Sequence, residues 1–196
     1  METGMSGAMG HAAAEGAAAG VLPFMGSEAR PGEHPGTDGG CAGSLGALDI
    51  LAVDPGTNES GWCRYRAGRV IGSGVMTNEA LRDELRYGTA AVLAIEMVAS
   101  YGMAVGREVF ETCVWIGRFI ECWPRPHDVR RVYRKDVKLH LCGTSKAKDA
   151  NIRQALLDLI GPQGTKKEPG PTYGVKSHAW AALAVAVTAA QTRAAA

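Results

Sequence analysis

The chain has 196 residues, 46% of them hydrophobic, enough for one ordinary domain with its own core. No run of about 18 apolar residues is present to cross a bilayer, and no basic region precedes the mildly apolar VLPFM as a secretory signal would require. A membrane or secreted protein is therefore not expected, and a cytoplasmic one is.

The net charge of +1 hides an asymmetry. Residues 47 to 196 carry 20 Lys/Arg against 15 Asp/Glu, and within residues 125 to 176 the count is 12 against 5. A basic half on a compact domain is the footprint of a nucleic-acid binder, although solvated helix faces give similar counts. Cys41, Cys63, Cys113, Cys122 and Cys142 are odd in number and widely spaced, with no CxxC, so they read as reduced thiols.

Residues 1 to 46 hold 12 of the 26 glycines, Ala runs such as AAAEGAAAG and the stretch ARPGEHPGTDGG. They read as a low-complexity, disordered leader, and residues 47 to 196 as the folded domain. LDILAVDPG is a buried strand running into a turn, and GWCRYRAGRVIGSGVM gives two further strands turning at Ala67-Gly68, which together make a three-stranded meander. NEALRDELRYGTAA is a helix with Asn78 as its cap and Leu81 and Leu85 on its apolar side.

AVLAIEMV is a strand with a carboxylate, Glu96, near its end. GREVFETCVWIGRFIECW is a helix with Val109, Cys113, Ile116 and Ile120 on one side, stopped by Pro124. DVRRVY is a short strand, RKDVKLHLC a helix ended near Gly143, and SKAKDANIRQALLDLIG a helix opening around Asp149 and closed by Gly161. GPQGTKKEPGPTYG is a Pro/Gly loop, and VKSHAWAALAVAVTAA a final helix packed through its alanines. Trp115, Trp123 and Trp180 read as core rather than as base-stacking platforms.

Asp54 at a strand end either serves a turn or holds a metal. Glu96 favours the metal, because a carboxylate in an apolar strand must be solvated, paired or bound to a cation. If the two strands are neighbours, both acids face one point. Their repulsion is then best relieved by a hard divalent ion, and magnesium beside a basic surface points to phosphodiester hydrolysis by two ions about 4 Å apart.

The order of elements resembles the ribonuclease H-like α/β fold, with a mixed five-stranded sheet flanked by helices. LAVDPGTNESGW, LAIEMV and HAWAALAVAVT resemble the first, second and last motifs of RuvC Holliday junction resolvases, especially the RuvC-like proteins of bacteriophages and prophages, over about Leu48 to Thr188. The resemblance implies a homodimeric endonuclease on four-way DNA junctions that uses Mg²⁺, or Mn²⁺, with two ions per site. It makes Asp54 and Glu96 metal ligands and puts Lys138 near the scissile phosphate. The segment after Glu96 becomes the junction-contacting region, and the helix from about Val105 to Glu121 the dimer interface.

One departure stands in the last motif. The family carries an Asp or His followed three residues later by Asp, and this chain has His178 and then Ala181. His178 is a metal ligand or the proton donor to the leaving 3′ oxygen, or Asp149 completes the site, or the protein binds junctions without cutting them; the first is favoured, with Asp149 as a candidate fourth group. His178 alone would equally suit a surface histidine, and Asp149 a helix-start charge. Tyr101, Arg107, Lys146, Lys148, Lys166 and Lys167 are the candidate DNA contacts, Tyr101 as a wedge into unstacked bases. Forks, flaps and RNA-DNA hybrids are the alternative substrates.

Overall fold

The computed structural model describes residues 48–192. The leader assigned to residues 1 to 46, with Cys41, lies outside them. The chain runs β1 (Asp49–Asp54), β2 (Glu59–Arg66), β3 (Arg69–Thr77), α1 (Asn78–Arg86), β4 (Val92–Met97), α2 (Arg107–Cys122), β5 (Val129–Tyr133), α3 (Arg134–Cys142), α4 (Asp149–Ile160) and α5 (Ala179–Gln191). The strands form one sheet in the order β3-β2-β1-β4-β5, in which the β1/β2 and β2/β3 pairs are antiparallel and the β1/β4 and β4/β5 pairs parallel.

Strand alternation divides the core in two. Ile50, Ala52, Val92, Ala94 and Val132 face α3, α4 and α5, whereas Leu51, Val53, Leu93 and Ile95 face α1 and α2. Helix α5 lies on the middle of the sheet, where Ala179, Ala182, Ala184, Ala186 and Ala189 are buried, because short side chains let the helix backbone approach the strands closely. The β2-β3 hairpin turns at Ala67 and Gly68, both at positive φ, as a two-residue turn between twisted strands requires.

Four local expectations change. Thr77 caps α1 by accepting from Ala80 N, and Asn78 is instead the first helical residue with a buried side chain. Helix α2 buries Thr112, Trp115, Ile116 and Phe119, not the stripe through Val109, Cys113 and Ile120. Both stripes have helical spacing, and the one carrying the two large rings buries more apolar area. Helix α5 starts at Ala179, so His178 stands just ahead of it. Trp115 and Trp123 are core, but Trp180 is only half-buried, with the Arg153 guanidinium 4.8 Å from its ring centre.

Candidate active site

Register decides which side chains meet. Val53 pairs with Ile95 in the parallel β1/β4 ladder, so the next residues along, Asp54 and Glu96, end adjacent strands side by side. Met97 pairs with Tyr133 in the β4/β5 ladder, and Arg134 follows at once. Asp54, Glu96 and Arg134 continue the alternation of Ala52, Ala94 and Val132, so all three emerge on the α3-α4-α5 side at the carboxyl ends of three neighbouring parallel strands.

Two segments complete the group from that side. Asp149 begins α4, and its Oδ1 accepts from Arg134 Nη2 at 2.6 Å. His178 Nδ1 lies 3.2 Å from Asp54 Oδ2. Gly61, the β2 partner of Asp54, makes that approach possible: a Cβ there would overlap the His178 carbonyl and lie 2.8 Å from the His178 Cβ. Ser177, just before the histidine, holds φ at 46°, a left-handed conformation that is costly for a side chain and recurs at functional sites.

The Pro55-Gly56 turn beyond Asp54 is pinned from below. Asn78 Nδ2 donates to Gly56 O at 3.0 Å, Ser60 Oγ donates to Asn78 Oδ1 at 2.6 Å, and Gly56 N donates to Ser60 Oγ at 3.2 Å. Ser60 and Asn78 are buried, so the turn that follows Asp54 is braced by side chains that are themselves held away from water.

These groups line a cleft of about 320 Å³ walled by Asp54, Glu96, Arg134, Asp149, His178 and Ala181. Burial, and then the neighbouring Asp54 carboxylate, push the Glu96 carboxyl up to about 7. Burial also raises Asp54, against the lowering pull of His178 and Arg134. A buried carboxylate and a half-buried one at neighbouring strand ends are a donor pair that suits one hard divalent cation. Among the described residues, no three His, Cys, Asp or Glu side chains converge as a ready-made metal cluster.

Asp54, Glu96, Asp149 and His178 thus line one cleft without meeting at a single point. Lys138 does not line the cleft; it is half-buried one helical turn beyond Arg134, and Arg134 and Arg153 are the two Lys/Arg side chains that do. Arg134 pairs with Glu96 Oε2 at 3.4 Å as well as with Asp149. Its signal in the sequence was its place directly after a short strand, matching Asp54 and Glu96 at their strand ends. Asn78 and Gly61 had no signal of their own, since their contacts cross between strands.

Beside the cleft, and sharing Asp54, Glu96 and Arg134 with it, runs a groove of about 340 Å³ lined by Met97, Val98, Tyr101, Met103, Val105 and Val109. Tyr101 is exposed at positive φ in the turn that builds this groove, and Arg107 opens α2 in an ion pair with Glu111. Lys146, Lys148, Lys166 and Lys167 are all exposed, the last two at the tip of a turn closed by Thr165 N donating to Glu168 O.

No protein-family model matches the sequence, and no curated protein matches it. Among solved structures, the chain is similar to the RuvC of Thermus thermophilus in complex with a Holliday junction substrate, with TM-score 0.54 and 17% identity over 72% of this chain and 92% of that one. A second structure of Thermus thermophilus RuvC gives TM-score 0.53 at the same identity and coverage. The fold is that of RuvC, an α/β fold of the ribonuclease H-like kind with a mixed five-stranded sheet and flanking helices.

Proposed function

We propose that the protein is a divalent-metal-dependent endodeoxyribonuclease that resolves Holliday junctions or related branched DNA by phosphodiester hydrolysis. The observation that carries this reading is the pair of half-buried Asp54 and buried Glu96, side by side at the carboxyl ends of the central parallel strands in a chain with the RuvC fold. Asp54 and Glu96 would hold Mg²⁺ or Mn²⁺, which supplies activation of water and stabilisation of the leaving oxygen.

In the reaction, the water oxygen bonds to phosphorus, the bond from phosphorus to the 3′ oxygen breaks, and that oxygen takes up a proton. His178 is the proton donor at hand: its Nδ1 is held by Asp54, which fixes the ring at the cleft mouth. Arg134 faces the same cleft and offers its charge to the phosphate. Lys138, a turn further along α3, together with Lys146, Lys148, Lys166 and Lys167, would contact flanking phosphates, and Tyr101 would stack on an unpaired base beside the apolar groove.

A four-way junction carries two symmetry-related strands to cut, which a twofold dimer matches. Phe110, Cys113, Val114 and Gly117 form an exposed second stripe on α2, opposite the buried one, and a Cβ at Gly117 would meet open space. A flat apolar helix face of this kind suits a second copy of the chain, and favours four-way junctions over forks, flaps or RNA-DNA hybrids.

The test is incubation of an immobile four-way junction with the protein in Mg²⁺ and then Mn²⁺, with a linear duplex as control. Paired symmetric nicks are expected, and Glu96→Gln should lower cleavage at least a hundredfold while junction binding and folding persist. Unchanged cleavage by Glu96→Gln would remove that residue from the mechanism. Ala181, and the lack of a third converging ligand among the described residues, favour a second reading, junction binding without cleavage. Tight binding with no nicks in either ion would establish it.

A further inference from the structure

We propose that Arg134 is a built-in second cation of this carboxylate site, so that each chain takes one divalent ion where a paired-ion centre would take two. The inference rests on the nuclease reading for the ion's presence, and on the geometry of Arg134 for the number.

Arg134 Nη1 lies 3.5 and 3.4 Å from the two Glu96 oxygens, and Nη2 lies 2.6 Å from Asp149 Oδ1. The guanidinium therefore stands between the Glu96 and Asp149 carboxylates and already engages both. It is anchored there by position: it follows β5 directly, opens α3, and has only about a quarter of its side chain exposed. A guanidinium does not lose its proton in proteins, and its planar fork matches a carboxylate or a phosphate, so its charge is permanent and directional.

Charge leads to the same number. Asp54, Glu96 and Asp149 against Arg134 and Arg153 leave the cleft at minus one when fully ionised, so a single divalent cation already reverses its sign. A second ion would overshoot further and would lie against a fixed positive charge. Donor atoms are short as well: His178 engages Asp54 through Nδ1, and the cleft wall at position 181 is an alanine with no donor. Asp54 and Glu96 would then hold the single ion, and Arg134 would offer its charge to the phosphate.

The experiment counts Mn²⁺ bound to the full chain by equilibrium dialysis and reads its paramagnetic resonance spectrum. The wild type should bind one Mn²⁺ per chain with a mononuclear spectrum. Arg134→Met, checked for folding by its thermal melt, should bind a second Mn²⁺ and show the spin coupling of ions about 4 Å apart. Arg134→Lys, which keeps the charge, should stay at one.

Two coupled ions in the wild type would overturn the inference, as would a folded Arg134→Met that still binds one. Junction cleavage is scored separately. One ion without cleavage leaves the inference standing and removes the nuclease reading, whereas cleavage with two ions does the reverse.

Discussion

Glu96 destabilises the fold that it serves. It is 9% exposed beside a second carboxylate, and its carboxyl is held up at about 7 against 4.5 for an ordinary glutamate. Between those values the folded chain binds the proton that the unfolded chain has released. Stability from this group is therefore complete below about 4.5 and is lost as pH rises through about 7. In EDTA the melting temperature should fall from pH 5 to pH 8, and Glu96→Gln should flatten that fall; an unchanged slope would show that Glu96 is not the group responsible. The residue scale also holds a silent partner, Gly61. Gly61→Ala would push the His178 backbone off β2, so cleavage should drop at least tenfold with junction affinity nearly unchanged, whereas equal losses in both would mean that the substitution damages the fold generally.

At the scale of elements, each strand places its last residue by alternation and each helix by where it starts. The strands were readable in the sequence because the apolar runs and the Ala67-Gly68 turn carry their own signals, and so were the ends of α3 and α4 at Gly143 and Gly161. Helix α2 was harder. It has an apolar stripe on each side, and nothing local says which one a sheet will cover; the sheet covers Trp115 and Phe119 and leaves Phe110 and Val114 exposed. That exposed stripe carries a prediction at this scale. Phe110→Asp with Val114→Glu should turn a dimer into a monomer in sedimentation and uncouple the two nicks on a junction. A double variant with the sedimentation of the wild type would place the dimer contact elsewhere.

The whole molecule adds its field. The excess of cations lies in the second half of the chain, along β5, α3, the segment with Lys146 and Lys148 that leads into α4, and the turn carrying Lys166 and Lys167. Junction affinity should therefore fall steeply with salt, with a log-log slope of about −0.9 for each phosphate neutralised, and Lys166→Ala with Lys167→Ala should reduce that slope. A flat response in the wild type would mean that this surface does not follow the backbone of DNA. What the sequence alone determined was the order of elements and the two carboxylates at strand ends, since periodicity, turn residues and an acid in an apolar run are local properties of the chain. Only the tertiary structure decided that β1, β4 and β5 are neighbours, that Arg134 rather than Lys138 is the cation between the acids, that Asn78 braces the turn beyond Asp54, and that Gly61 makes room for His178. Those are contacts between residues up to 124 positions apart, fixed by sheet register and by close backbone approach, and no stretch of sequence carries them by itself.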